Sequence, residues 1–197
     1  MLVFWRQRLV FLATPKTAST AIESVLAPLA AVVILRPPQL KHTNAQRYQK
    51  MLAPFLGDAK GDEFAMTALM REPQDWLSSW YRYRQRPEEV PEKSTRDLSF
   101  DDFVRAYCRE DQPEFARVGS QATFLAPKNH RPVDHVFRYE DIDDFVLFLQ
   151  DRLNTRFDLP RLNVSPAGDG RLGPATAALL RQHCRRDFEI YDMIGPQ

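Results

Sequence analysis

Short apolar runs alternate with helix-like patterns along this chain. The run from Leu9 to Ala13 has no polar alternation, which is typical of a strand buried on both faces of a sheet. The patterns predict further strands at residues 31–35, 64–70 and 133–138. They also predict helices at residues 19–26, 43–55, 100–107, 142–153 and 174–191, and one that starts at Pro73, a residue favoured in the first helical turn.

The order of these elements predicts the fold class. Strands that alternate with helices indicate an α/β protein with a central parallel sheet flanked by helices. In such folds, ligands bind at the carboxyl ends of the strands, so the strand-to-helix turns are the first places to search for a site.

Composition limits the classes of function. The 197 residues, 44% of them hydrophobic, can bury one sizeable core, so we predict a single domain over residues 1–197. The formal net charge of +1 argues against nucleic-acid binding. The only two cysteines, Cys108 and Cys184, form no metal or disulfide pattern. Arg6 and Arg8 interrupt the first apolar run, so we expect no membrane span and a cytoplasmic protein.

The first strand leads into a turn rich in hydroxyl groups and small residues. A helix that starts there would offer free backbone N–H groups and a partial positive charge to an anion, and a lysine adds a full charge. The alternative is that Ser19 or Thr17 simply caps the helix. The glycines of a nucleoside-triphosphate loop are missing. The candidate anion-binding residues are Pro15, Lys16, Thr17, Ala18, Ser19, Thr20 and Ala21.

A second candidate turn follows the third predicted strand. Arg71 lies at the strand end, where its planar guanidinium can hold a phosphate through two hydrogen bonds. Ser79 lies about two helical turns further on and can donate its hydroxyl to the same group. The alternative is that Arg71 pairs with Glu72 or Asp75 and that Ser79 faces solvent.

Together the two turns resemble the cofactor signature of the sulfotransferases, in particular the branch that includes carbohydrate sulfotransferases. That family has a P-K-T-x-x-T-[ST]-like loop after the first strand and an R-[DE]-P-x-x-[RW]-L-x-S-x-[YW] stretch at the third. Weaker similarities include Lys41-His42, Gln121 and Tyr139. The residues that match the two motifs are Pro15, Lys16, Thr17, Ser19, Thr20, Arg71, Glu72, Pro73, Leu77, Ser79 and Tyr81.

The resemblance implies a sulfotransferase fold similar to that of P-loop nucleoside triphosphate hydrolases. It implies 3′-phosphoadenosine 5′-phosphosulfate as the donor, adenosine 3′,5′-bisphosphate as the product, and no metal. Lys16 would stabilise the leaving oxygen, and the turn around Thr17 to Thr20 would hold the 5′-phosphosulfate. Arg71 and Ser79 would hold the 3′-phosphate.

An acceptor hydroxyl also needs a base, and histidine is the most common choice. His42 is the best of the four histidines because it follows the second predicted strand. The alternative is that Thr43 caps a helix and His42 is incidental. Glu23 is a reserve base, with an exposed helix glutamate as its alternative.

Two further segments have open interpretations. Arg82, Arg84 and Arg86 could line the path of an acidic acceptor, or they could form a solvated helix face. The predicted loop at residues 167–173, which contains Arg171, could close over the donor or could be only a connector. Arg171 is therefore a further candidate for cofactor binding.

Two other functions compete with the sulfotransferase hypothesis. A small ATP-dependent kinase would need a glycine-rich loop and a magnesium-binding aspartate after a strand, and neither is evident in the sequence. A non-catalytic nucleotide-binding protein on the same fold is disfavoured by Lys16. The acceptor could be a small molecule, a lipid head group or a carbohydrate, and the sequence does not indicate an oligomeric state.

Overall fold

The chain begins with a β-hairpin that the apolar pattern did not predict. The computed structural model describes residues 1–57, 63–160 and 170–195. In it, β1 (Leu2–Phe4) runs antiparallel to β2 (Leu9–Phe11). Residues 5–8 form the turn between the two strands. Arg6 and Arg8, which interrupt the apolar run, therefore lie in the turn of a hairpin whose strands are both fully buried.

The sheet is mixed, so the prediction of a parallel sheet is wrong at one strand. Its five strands lie in the order β3-β1-β2-β4-β5, with β3 at Val32–Val33, β4 at Ala65–Met70 and β5 at His135–Arg138. The β2–β4 and β4–β5 pairs are parallel, whereas β1 is antiparallel to both of its neighbours. The chain can insert β1 between β2 and β3 because a tight turn suffices to join antiparallel strands.

Helix periodicity predicted most of the helices, and three were predicted at their observed bounds: α1 (Ser19–Leu26), α5 (Phe100–Tyr107) and α7 (Ile142–Leu153). The predicted helix that starts at Pro73 is α4 (Pro73–Tyr83). The short helices α2 (Pro38–Lys41) and α6 (Gln121–Leu125) were not predicted. Short 3₁₀ helices occur at Ala27–Leu29, Pro91–Lys93 and Glu114–Ala116.

Two of the predicted helices are not continuous α-helices. The predicted helix at residues 43–55 consists of α3 (Ala45–Arg47) and a single π-helical segment at Tyr48–Leu52, after which the chain turns. The last predicted helix is broken at Cys184 into α8 (Pro174–His183) and α9 (Arg185–Met193). Apolar periodicity does not indicate such breaks because it continues across them.

The described residues divide into two compact units. The first unit is drawn from residues 1–71, 121–163 and 194–197 and contains the whole sheet. Phe11 in β2 and Phe137 in β5 pack against Phe145 of α7, with ring centroids 5.7 Å and 5.4 Å apart. Ile22 and Leu26 of α1 belong to the same buried cluster. The apolar faces of α1 and α7 thus cover one side of the sheet.

The second unit is helical and is drawn from residues 72–120 and 164–193. Its core is formed by α4, α5 and α8, with Trp76, Phe103 and Leu180 among its buried side chains. Cys184 is buried in the same cluster and is not in a disulfide. The sequence-based prediction of a single domain over residues 1–197 stays a prediction.

Candidate functional site

The turn after β2 is the first predicted anion-binding segment, and its backbone has unusual geometry. Lys16 and Ala18 have φ values of 68° and 55°, in the left-handed region. Each such non-glycine residue costs about 1–2 kcal/mol, so surrounding contacts must stabilise the turn. The Thr17 hydroxyl supplies one of these contacts by donating to the Thr14 carbonyl at 2.9 Å. Because this uses its hydrogen, Thr17 would meet an anion through its backbone rather than its hydroxyl.

The start of α1 is not capped by a side chain, so the capping alternative for Ser19 and Thr17 is wrong. The N-cap residue is Ala18, and no side-chain cap is present. The amides of Ala21 and Ile22 already donate to the Ala18 carbonyl, at 2.9 Å and 3.2 Å. Ala21 therefore does not offer its N–H to a ligand. The earlier amides of the turn are the ones that a helix start makes available to an anion.

Lys41 adds a second lysine to this turn. Its Nζ lies 3.1 Å from Oγ1 of Thr20 and 2.9 Å from Oε2 of Glu23. An ammonium group only donates, so the Thr20 oxygen is the acceptor and its own hydrogen can point to another group. Thr20 is exposed and is thus prepared to donate a hydrogen bond to an anion. In the sequence, Lys41 stands out only as the neighbour of His42, and no role was predicted for it.

Glu23 is buried, which contradicts its interpretation as an exposed helix glutamate. Its exposed fraction is 2%, and its other carboxylate oxygen accepts from the Met1 amino group at 2.9 Å. Both oxygens are thus held by cations, one of them Lys41. These contacts make Glu23 an anchor between α1 and the segment that carries Lys41, and not a good base.

His42 follows α2 and contacts the segment just after β2. Its Nδ1 lies 2.6 Å from the Ala13 carbonyl oxygen. A carbonyl can only accept, so Nδ1 carries the hydrogen and Nε2 keeps the lone pair when the ring is neutral. Burial lowers the pKa of His42, while the Ala13 hydrogen bond opposes that effect and the Lys41 charge adds to it. The ring therefore tends to be neutral, as a base requires.

The alternative for His42 required Thr43 to cap the next helix, and the structure contradicts it. The Thr43 hydroxyl donates back to the Leu40 carbonyl at 2.7 Å. The cap of α3 is instead Asn44, whose Oδ1 accepts from the Arg47 amide at 2.8 Å.

Arg71 follows β4 and links the ends of three strands. Its Nη1 donates to the Lys16 carbonyl at 3.2 Å, so the second predicted turn meets the first. Its guanidinium carbon lies 4.6 Å from the centre of the Tyr139 ring, just after β5. Its backbone N–H and carbonyl bond to Oε1 and Nε2 of Gln121 at 2.9 Å and 2.8 Å. In the sequence, Gln121 and Tyr139 were only weak similarities to the sulfotransferases.

Ser79 belongs to the second unit, where it lies on α4 and is buried, with 3% of its surface exposed. The alternative of a solvent-facing Ser79 is therefore wrong. Its neighbour Ser78 accepts a hydrogen bond from Nη1 of Arg82 at 2.8 Å. The predicted role of Ser79 toward a 3′-phosphate stays a prediction.

Arg171 is also in the second unit and is exposed. Residues 167–169 of the predicted loop lie outside the described residues. The part of the loop that the structure describes, residues 170–173, is held by hydrogen bonds on both sides of Arg171. Gln74 Nε2 donates to the Gly170 carbonyl at 2.8 Å, and the Gly173 amide lies 3.3 Å from both carboxylate oxygens of Asp101. Closure of residues 168–173 over a donor stays a prediction.

The predicted basic run does not form one surface. Arg84 is only 6% exposed, and its guanidinium donates to the carbonyls of Glu114 and Arg117 at 2.7 Å and 3.3 Å. Burial lowers its pKa, while nearby Glu89 opposes that effect. Arg86 lies 4.6 Å from the Tyr83 ring centre. Arg84 is thus a structural residue, which neither alternative anticipated.

Within residues 1–57, 63–160 and 170–195, no cluster of three or more histidine, cysteine, aspartate or glutamate side chains is arranged to hold a metal. The same ranges contain no helix that is both long and apolar enough to cross a membrane. Comparisons of the chain with protein-family models, with curated proteins and with solved structures found no match. The fold and the contacts of Arg71 define the site: it belongs to an α/β protein in which two cationic turns meet beyond the carboxyl ends of neighbouring parallel strands.

Proposed function

We propose that this protein is a sulfotransferase that moves a sulfuryl group from 3′-phosphoadenosine 5′-phosphosulfate to a hydroxyl or amine. The observation that carries the proposal is the hydrogen bond from Arg71 to the Lys16 carbonyl at 3.2 Å. It joins the two turns that resemble the donor-binding motifs of sulfotransferases. A fold similar to that of P-loop nucleoside triphosphate hydrolases is part of the proposal, supported by the β2–turn–α1 unit and the parallel β2–β4 pair.

In this proposal, the turn after β2 binds the 5′-phosphosulfate. The early amides of α1 and the Thr20 hydroxyl donate to its oxygens, and the Lys16 ammonium approaches the oxygen that bridges sulfur and phosphorus. That oxygen gains negative charge as its bond to sulfur breaks. A cation held at this oxygen stabilises the transition state more than the bound donor, which accelerates the transfer.

His42 acts as the base. Because its Nδ1 hydrogen is held by the Ala13 carbonyl at 2.6 Å, Nε2 is the nitrogen that can accept a proton. The acceptor O–H proton moves to Nε2 as the acceptor oxygen bonds to sulfur and the bridging S–O bond breaks. The products are the sulfate ester, adenosine 3′,5′-bisphosphate and a proton later released from His42.

Arg71 provides selectivity for the donor. Its guanidinium can form a bidentate pair with a 3′-phosphate, which ATP and AMP lack. The stacking against Tyr139 at 4.6 Å and the contact with Lys16 restrict its orientation. The family resemblance alone adds Ser79 to this role.

The proposal is tested by calorimetric titration of the protein with adenosine 3′,5′-bisphosphate, AMP, and ATP with magnesium. The bisphosphate should bind most tightly. Arg71→Ala should weaken that binding about 10- to 100-fold, because a hydrogen bond to a charged group contributes about 1.5–3 kcal/mol. Arg152→Ala removes the same charge from an exposed position on α7 and serves as the control.

The other outcomes identify the rival functions. Preference for ATP with magnesium would indicate a kinase and would overturn the proposal. Tight bisphosphate binding without transfer of ³⁵S-labelled sulfate to any member of a panel of sugars, lipid head groups and small alcohols or amines would favour a non-catalytic nucleotide-binding protein. Transfer that is lost in Lys16→Ala would support the sulfotransferase and identify the acceptor.

A further inference from the structure

Gln121 holds the backbone of Arg71 through both ends of its carboxamide. Oε1 accepts from the Arg71 N–H at 2.9 Å, and Nε2 donates to the Arg71 carbonyl at 2.8 Å. The Gln121 side chain lies in the first unit with Arg71, and the residue is 1% exposed. A buried glutamine that satisfies both polar groups of one residue restricts where the backbone of that residue can lie.

The position of Arg71 explains why such a contact is needed. β4 ends at Met70, whose carbonyl accepts from the Tyr139 amide at 2.7 Å. Arg71 is the first residue beyond the strand, yet its polar backbone groups are part-buried and need partners. A carboxamide carries the same kinds of donor and acceptor as a peptide group. The Gln121 side chain therefore takes the place of a neighbouring strand at Arg71 and continues the hydrogen bonding of the sheet by one residue.

The two hydrogen bonds between Gln121 and the Arg71 backbone, called the clamp from here on, also affect the Arg71 side chain. With the backbone held by Gln121, the guanidinium is directed by two contacts of the same unit: the Lys16 carbonyl at 3.2 Å and the Tyr139 ring at 4.6 Å. Bidentate pairing with a phosphate requires the guanidinium to lie in a narrow range of positions and orientations. Loss of the clamp would widen that range without removing any charge.

We propose that Gln121 is a positioning residue of the donor site, which holds Arg71 in place for the 3′-phosphate and thereby sets the preference for 3′-phosphorylated nucleotides. This inference rests on the proposed function. It concerns selectivity rather than affinity alone, because only a nucleotide with a 3′-phosphate uses Arg71.

The chain contains a matched control for this contact. Gln49 holds Arg131 in the same way: Nε2 donates to the Arg131 carbonyl at 2.7 Å, and Oε1 accepts from its amide at 3.1 Å. Gln49 and Arg131 also belong to the first unit, but neither is a predicted site residue. Gln49→Met therefore removes the same pair of hydrogen bonds, together with a third from Nε2 to the Ala45 carbonyl at 3.1 Å, and reports what such a loss does to the fold.

The experiment measures dissociation constants for adenosine 3′,5′-bisphosphate and AMP by calorimetry, with thermal unfolding as a check on folding. Methionine is similar in size to glutamine. Gln121→Met should weaken bisphosphate binding about tenfold, because one well-placed hydrogen bond between Arg71 and the 3′-phosphate is lost. It should weaken AMP binding less than twofold. Gln49→Met should leave the ratio of the two constants unchanged. Gln121→Met combined with Arg71→Ala should bind the bisphosphate no more weakly than Arg71→Ala alone.

Contrary results separate the two proposals. If the wild-type protein does not prefer the bisphosphate to AMP, the proposed function fails, and this inference fails with it. If the preference exists but Gln121→Met weakens both ligands equally, or adds its full effect to Arg71→Ala, only the positioning role is overturned. Gln121→Glu keeps the acceptor for the Arg71 N–H and replaces Gln121→Met in these measurements if Gln121→Met does not fold. If neither variant folds, Gln121 is a fold residue and the inference is wrong.

Discussion

Arg71 and Lys16 contact each other although 55 residues separate them in the sequence: Nη1 of Arg71 donates to the Lys16 carbonyl oxygen at 3.2 Å. The contact exists because β2 and β4 are parallel neighbours, so the segments that follow them leave the same edge of the sheet. It also helps to hold Lys16 in its left-handed conformation, with φ at 68°.

The geometry of the Arg71 side chain, and not only its charge, should determine bisphosphate binding. Arg71→Lys keeps the charge but loses the planar fork and the stacking on Tyr139. We expect calorimetry to show adenosine 3′,5′-bisphosphate binding weakened about tenfold, as for one charged hydrogen bond. Arg152→Lys, at an exposed position on α7, should leave this binding unchanged. Wild-type affinity in Arg71→Lys would show that a point charge suffices.

The lowered pKa of His42 should appear in the stability of the protein. Below about pH 6.5, the ordinary histidine value, the unfolded chain takes up a proton that the folded protein resists. The stability is therefore complete above that pH and falls as the pH drops toward the pKa of the folded state, by at most about 1.4 kcal/mol per pH unit. His42→Asn, which can still donate to Ala13, should remove this part of the pH dependence.

The measurement for His42 is the free energy of unfolding in urea at pH 7.5 and pH 5.5, for the wild type and His42→Asn. Relative to the wild type, His42→Asn should have a more favourable free energy of unfolding at pH 5.5 than at pH 7.5. His183→Asn, at an exposed histidine, is the control. An identical pH dependence in the wild type and His42→Asn would contradict a lowered pKa.

Glu23 should contribute strongly to stability because its carboxylate is buried between two cationic groups. Glu23→Gln leaves the Lys41 ammonium without its buried counter-charge, and loss of one member of a buried pair costs about 3–5 kcal/mol. Urea unfolding should show a loss of this order. Glu110→Gln, at an exposed position, should change the free energy by less than about 0.5 kcal/mol. Equal effects would mean that the Glu23 ion pair stabilises nothing.

Arg84 should matter for the fold of the second unit and not for nucleotide binding. Arg84→Met removes the donors to the carbonyls of Glu114 and Arg117. Two hydrogen bonds to a charged group contribute about 3 kcal/mol or more, which unfolding in urea would detect. Arg86→Met, at an exposed residue, is the matched control. Weaker bisphosphate binding by folded Arg84→Met would instead show that Arg84 contributes to nucleotide binding and would contradict a purely structural role.

Local patterns in the sequence were sufficient for most of the elements. The apolar spacing of α1, α5 and α7 predicted their observed bounds. Each helix buries one face, and a buried face produces a regular spacing of apolar residues within a single segment of the sequence. β2 and β4 were recognised for the same reason. The chemistry of the two turns was also visible, since lysine, hydroxyl groups and an arginine at strand ends are properties of single short segments.

Only the tertiary structure decided what depends on pairing between distant segments. The position of β1 between β2 and β3 made the sheet mixed, and a three-residue apolar strand does not encode its partner. The clamp of Gln121 on Arg71 spans 50 residues, and the ion pair of Lys41 with Glu23 likewise joins separate elements. By itself, the sequence determined which chemical groups the strand ends carry. Chain packing decided which of them meet, because a hydrogen bond or ion pair depends on distances that local patterns do not contain.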